Sequence, residues 1–86
     1  MVKMKVVMDD EELKRLGTYE VTHANIDRLF RSYGITKTEE YIYSGGEDIS
    51  YLGVVHNLEM CGWFVPFAKE WVWIDLGKDC VIDLLT

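Results

Sequence analysis

Several residue types that would indicate particular chemistries are scarce in this chain of 86 residues. It contains one proline, two cysteines and two histidines. The cysteines, Cys61 and Cys80, form neither a CxxC pair nor a zinc-finger spacing, and such sparse usage is typical of a reducing compartment. No apolar run approaches the roughly 20 residues of a membrane span, and the N-terminal segment turns acidic too early for a signal peptide. We therefore expect a cytoplasmic protein that does not enter a membrane.

Basic residues are also in short supply. Nine Lys and Arg stand against fifteen Asp and Glu, which leaves a formal net charge of −6. Nucleic acids and anionic membrane surfaces attract proteins through clustered Lys and Arg side chains. The charge therefore disfavours both as partners, and it suits a partner protein with a basic surface.

Motifs for catalysis or for a cofactor are missing as well. His56 and Glu59 are spaced for one helical face, but a protein zinc site needs three or four ligands. The glycine-rich segment 44–48 lacks the Lys-Ser/Thr pair of a phosphate-binding loop. Neither Cys61 nor Cys80 has a base linked to it by a recognisable spacing. We predict no catalytic residue, no metal and no cofactor, while a site around His56 that only folding assembles stays open as an enzyme alternative.

What the chain does have is apolar residues, at 49% of the sequence, with aromatic residues at 13%. That is enough for the core of one small domain over residues 1–86. Alternating apolar positions predict strands over residues 2–8 and 69–76, with a shorter one over 39–44. The C-terminal segment after the turn at residues 77–79 reads as a last strand or a helical turn, paired with the preceding strand as a hairpin.

Three segments carry helix signals. The first starts at the cap Asp9 and stops at Gly17. The second starts at the cap Thr22, and its apolar stripe runs to Tyr33. Residues 49–61 have helical apolar spacing on two sides, which predicts a mostly buried third helix.

The order of these elements predicts a small α+β two-layer sandwich. Its mixed sheet of about four strands would have two to three helices packed on one face. The first strand–helix–strand connection is expected to pair its two strands in parallel through a right-handed crossover.

An aromatic-rich stretch, residues 61–76, raises the question of a contact surface. Alternation within it puts Trp71 and Trp73 on one face and Val72, Ile74 and Leu76 on the other. In the strand over 39–44, Tyr41 and Tyr43 likewise oppose Ile42. Assigning the aliphatic side chains to the helices leaves an open aromatic face, and its predicted partner-binding residues are Tyr41, Tyr43, Trp71 and Trp73. Cross-strand aromatic pairs also stabilise sheets by themselves, so a purely structural role for these residues stays open.

These observations predict a small acidic, non-enzymatic protein-interaction module. It would bind a partner protein, or a second copy of itself, through the aromatic sheet face, because Trp and Tyr are enriched at binding hot spots. An accessory or inhibitory role is compatible with its size and charge. Binding of single-stranded nucleic acid by base stacking on the same aromatics is one alternative, and an enzyme that uses His56 is the other.

Overall fold

A computed structural model describes residues 1–85. In that part of the chain, three α-helices cover one face of a five-stranded sheet. The strands are β1 (Val2–Met8), β2 (Thr36–Glu39), β3 (Ile42–Ser44), β4 (Ala68–Asp75) and β5 (Cys80–Asp83). The helices are α1 (Asp10–Leu16), α2 (Tyr19–Ser32) and α3 (Ser50–Met60), and a single 3₁₀ turn spans Val65–Phe67. The predicted two-layer α+β fold is confirmed, with five strands where about four were predicted.

The sheet is antiparallel throughout, in the order β2-β3-β1-β4-β5. The predicted parallel pairing is therefore wrong. The second strand, β2, does run parallel to β1, but a tight turn at residues 40–41 reverses the chain so that β3 lies between them. Tyr41 adopts a left-handed φ of 70° in that turn. The single strand predicted over residues 39–44 is consequently two strands of a hairpin.

Hydrogen bonds at their N-termini show where the first two helices begin. The carboxylate of Asp9 accepts a hydrogen bond of 3.3 Å from the main-chain N–H of Glu12, and Gly17 ends α1 with a φ of 74°, both as predicted. The second helix starts earlier than predicted, because the N–H of Thr22 already donates to the carbonyl oxygen of Thr18 at 3.0 Å. Thr22 is thus a buried residue inside α2 and not its cap.

The helices cover the sheet face that carries the alternate residues of β1, as predicted. These are Val2, Met4, Val6 and Met8, and all four are buried. The register places Tyr43 and Trp73 beside Met4 and places Trp71 beside Val6. Because directly paired residues share a face of an antiparallel sheet, the aromatic side chains of β3 and β4 also point towards the helices.

The predicted assignment of faces in β3 and β4 is therefore wrong. Ile42, Val72 and Ile74 lie on the open side with Lys3 and Lys5, with which the register pairs them. Alternation in a strand defines two faces but does not say which of them is covered. Burying a Trp or Tyr ring removes more apolar area from water than burying a Val or Ile, which favours the observed arrangement.

The third helix is less buried than predicted. Its covered side consists of Tyr51, Val54 and Leu58. The large apolar side chains on its outer side are exposed, namely Leu52 and Met60, together with Ile49 just before the helix. Within residues 1–85, no helix combines the length and the apolar character that crossing a membrane requires.

Two buried tyrosines predict how stability depends on alkaline pH. Burial, together with a hydrogen bond to Asp27, raises the pKa of Tyr43, and burial raises the pKa of Tyr51 to about 12. Tyrosine in an unfolded chain titrates at about pH 10. As the pH rises, the hydroxyl groups of Tyr43 and Tyr51 therefore lose their protons in the unfolded state before they do so in the folded state. The stabilisation is present in full below pH ~10. The contribution of Tyr51 is lost as the pH rises through ~12, and that of Tyr43 declines over the same range without being exhausted there.

Urea unfolding between pH 8 and 12 measures this effect. The free energy of unfolding should be level at first and then fall, and the fall should be shallower in Tyr43→Phe. A wild-type profile that stays level to pH 12 would contradict the burial of these hydroxyl groups.

Candidate functional site

The four predicted contact residues do not share one open face. Tyr43 and Trp71 belong to the buried core, and only 1% of Trp71 is exposed. Trp73 is half-buried, with its ring edge-on to Tyr51 of α3 at a centroid distance of 6.0 Å. Tyr41 is 37% exposed, in the turn between β2 and β3. The structure therefore separates these residues into two core positions, one helix-packing position and one turn position.

The contacts of Trp71 and Tyr43 are those of structural residues. The indole N–H of Trp71 donates to the Met4 sulfur at 3.2 Å, and its ring meets Phe64 edge-on at 5.0 Å. Tyr43 stacks on Phe30 of α2 with 3.9 Å between ring centroids. These contacts attach the helical layer to the sheet, and neither ring is accessible to a partner in this conformation.

The aromatic stretch nevertheless reaches the surface, through Trp63 and Phe67. Both side chains are half-buried. The chain turns tightly after α3, where the N–H of Phe64 donates to the carbonyl oxygen of Cys61 at 3.2 Å. This turn directs Phe64 into the core, while the Trp63 ring meets it edge-on at 6.3 Å from the outer side. Pro66 then lies in the 3₁₀ turn, where its fixed φ suits the helical geometry.

Two adjoining cavities flank Trp63. The first, of about 250 Å³, lies between α1, α2 and the 3₁₀ turn, and its apolar lining includes Leu13, Leu16, Val21 and Phe67. The second, of about 370 Å³, lies between α2 and the end of α3, and its lining includes Arg28, Leu29, Asn57 and Cys61. Trp63 and Asn25 line both cavities. We call these two cavities together the Trp63 groove.

The lining of the groove is mainly apolar and includes a few polar groups. The Arg28 guanidinium donates to the Asn25 side-chain oxygen at 3.1 Å. The Asn57 amide donates to the Tyr33 hydroxyl at 2.9 Å and to the Gly53 carbonyl at 2.8 Å. These polar groups are held in place by neighbours in the protein. The groove therefore offers a shaped apolar surface with an ordered polar edge.

The residues considered for catalysis or metal binding are dispersed. His56 is exposed on α3, and Cys61 and Cys80 are free thiols of intermediate burial. Among residues 1–85, no group of three or more His, Cys, Asp or Glu is arranged to hold a metal ion. No protein-family model matches this chain, and comparison with curated proteins and with solved structures finds no significant match.

Trp63 was not among the predicted contact residues, because it lies in no segment with helical or strand periodicity. It follows Gly62, which comes just after α3, and precedes Pro66 by three residues. This position predicts a connection between elements, and connections often carry binding residues. A tryptophan in such a connection was the available signal, but it does not reveal that α1 and α2 form the other wall of a groove.

Proposed function

We propose that this protein is a small cytoplasmic, non-enzymatic interaction module that binds a segment of a partner protein in the Trp63 groove. The observation that carries the proposal is the position of Trp63 between two adjoining, largely apolar cavities. Concave apolar sites with a few ordered polar groups are typical binding sites, and tryptophan is enriched among residues that dominate binding energy.

The charge of the chain indicates the kind of partner. At a net charge of −6, the protein attracts a basic surface and accelerates its encounter. A partner protein with such a surface is the preferred occupant, and an accessory or inhibitory role towards it suits the size of the chain. A second copy of the chain is the other occupant to test.

The composition of the groove favours recognition over catalysis. Arg28 and Asn57 make hydrogen bonds to neighbouring protein groups, and the rest of the lining is mainly apolar. The alternative function, binding of single-stranded nucleic acid by base stacking, requires an open aromatic sheet face. Tyr43 and Trp71 are buried and cannot be part of such a face. No observation on the groove favours that alternative.

Removal of the Trp63 ring should weaken binding. Peptides would be selected from a displayed random library on the immobilised protein, and their dissociation constants measured by calorimetry. Trp63→Ala should raise these constants by roughly thirtyfold, as expected for a hot-spot tryptophan worth ~2 kcal/mol. The matched control is Tyr41→Ala, which removes an accessible aromatic outside the groove and should change little.

Two further measurements make this test decisive. Circular dichroism must show that both variants keep the wild-type fold. Light scattering over a hundredfold range of protein concentration must show whether the wild type associates with itself and whether Trp63→Ala prevents this. Unchanged peptide affinity in Trp63→Ala, or an equal loss in Tyr41→Ala, would contradict the proposed site.

A further inference from the structure

The two edges of the sheet are protected to different degrees. Edge strand β2 is polar and exposed, with Lys37 and Glu39 and an irregular register between them. Charged residues and irregular pairing are the usual protection of a sheet edge. The opposite edge strand, β5, has Val81 70% exposed and Ile82 47% exposed. Within residues 1–85, no strand lies on its outer side.

Hydrogen-bond alternation shows which way the main chain of β5 points. The N–H of Leu84 donates to the carbonyl oxygen of Trp71 at 2.8 Å. Pairs along an antiparallel ladder alternate between hydrogen-bonded and non-hydrogen-bonded. Ile82, opposite Trp73, is therefore bonded to β4, whereas Val81, opposite Ile74, directs its N–H and C=O towards the outer edge.

The side chains around this position define an apolar site between acidic groups. Val81 continues the open-face aliphatic row of Val72 and Ile74. Asp83 ends the strand opposite Val72, on the same face as Val81, and its carboxylate also accepts a hydrogen bond of 2.9 Å from the main-chain N–H of Leu85. Asp79 lies in the turn just before the strand, with a left-handed φ of 50°. An added strand would thus meet a β-branched apolar residue at its centre, with one acidic residue at the end of β5 and another in the turn before it.

We propose that the β5 edge accepts an extended basic segment of a partner protein as an additional strand. The main chain of the segment would hydrogen-bond Val81, as in other cases of strand addition. Its side chain opposite Val81 would be apolar and β-branched, and Lys or Arg residues two positions away on each side would face the acidic groups. The site is separate from the Trp63 groove and does not depend on it.

A second copy of this chain fits the edge less well. A two-fold axis perpendicular to the sheet can pass through Val81 or through Ile82. The first register brings Asp83 of one copy next to the turn that contains Asp79 of the other, and the second sets the two Asp83 residues diagonal to each other. Like charges in such positions are destabilising, and each copy also adds a net charge of −6.

The test uses two synthetic peptides that can pair with the exposed edge of β5. One is the capped peptide Lys-Thr-Val-Thr-Lys-Thr, and the other replaces both Lys by Glu. Titrated into the ¹⁵N-labelled full chain at low salt, the Lys peptide should shift the amide signals of β5 saturably. It should bind about tenfold more tightly than the Glu peptide, because its Lys residues are attracted to the acidic residues near Val81, whereas Glu residues are repelled by them.

Proline substitution separates the edge from the rest of the fold. Val81→Pro removes an N–H that points away from β4, so it should abolish binding of the Lys peptide while keeping the fold, as edge prolines do. Lys37→Pro is the matched control on the β2 edge and should leave binding unchanged. If Val81→Pro does not fold, Val81→Lys serves instead and should weaken binding of the Lys peptide and reduce its advantage over the Glu peptide, because it replaces the apolar contact with a positive charge.

Three outcomes would overturn this proposal. They are the absence of saturable shifts on β5 at millimolar Lys peptide, equal affinity of wild type and the folded Val81 variant, and a wild-type dimer that Val81→Pro converts to monomer. The last result would assign the edge to a second copy. Loss of peptide binding in the groove variant Trp63→Ala has no bearing on these shifts, so the two proposals fail separately.

Discussion

Replacing Trp71 by alanine should reduce the free energy of unfolding by about 3–5 kcal/mol, as for other buried tryptophans. The reason is its position, 1% exposed, with its indole N–H on the Met4 sulfur and its ring against Phe64. Stabilities of small domains are about 5–15 kcal/mol in total, so the variant is expected to be largely unfolded at moderate urea concentrations. Urea titration followed by circular dichroism measures the loss.

The matched control is Trp63→Ala, which removes an identical side chain from the groove. Trp63 is half-buried, so less area and fewer contacts are lost, and the cost should stay below about 2 kcal/mol. A mild effect at Trp71 combined with a severe one at Trp63 would show that the covered and accessible aromatics are assigned the wrong way round.

Alanine at Gly46 should cost about 2–5 kcal/mol. Two effects add there. The residue has a φ of +69°, and an added Cβ would lie 3.1 Å from the carbonyl oxygen of Gly34 and 3.1 Å from the Ile35 side chain. The left-handed conformation costs a non-glycine residue about 1–2 kcal/mol, and forcing an extra carbon into a packed site costs about 1–3 kcal/mol.

Gly17 provides the control for that substitution. It has a φ of +74°, close to that of Gly46, but nothing within 4 Å of an added Cβ. Gly17→Ala therefore loses stability only through the backbone conformation, and the difference between the two variants measures the close approach at Gly46. Equal losses would remove the packing argument. The segment of Gly45 and Gly46 also receives a hydrogen bond from the Tyr51 hydroxyl on the Gly45 carbonyl at 2.8 Å, which gives these glycines a structural role.

The elements that sequence patterns predicted well are those whose signal is local. The alternation in β1 places Val2, Met4, Val6 and Met8 on one side and both lysines, Lys3 and Lys5, on the other, so both the strand and its covered face follow from it. The capping box at Asp9 and the left-handed Gly17 are likewise determined within a few residues.

The face of β4 could not be predicted in the same way, since both of its sides are apolar. Trp71 and Trp73 oppose Val72 and Ile74, and only the position of α3 and Phe64 decides which side is covered. The β2–β3 hairpin was hidden for a different reason. Its turn has Tyr41 at a positive φ where glycine or asparagine is usual, and exposed β2 lacks an apolar alternation.

The Trp63 groove was beyond sequence analysis because its walls come from separate segments. Leu16 at the end of α1, Val21 in α2 and Cys61 after α3 converge on Trp63 only in the folded chain. The sequence did raise the question of whether part of the aromatic stretch forms a contact surface. It could not identify the ring that is left accessible.

The most direct test of the groove is a chemical-shift map of a library-selected peptide on the ¹⁵N-labelled protein. We expect the indole N–H of Trp63 and the side-chain amides of Asn25 and Asn57 to shift together and to saturate with the same dissociation constant. We also expect that the indole N–H of Trp71 does not move. Shifts confined to the Tyr41 turn or to the outer side of α3, with Trp63 unaffected, would contradict the proposed site.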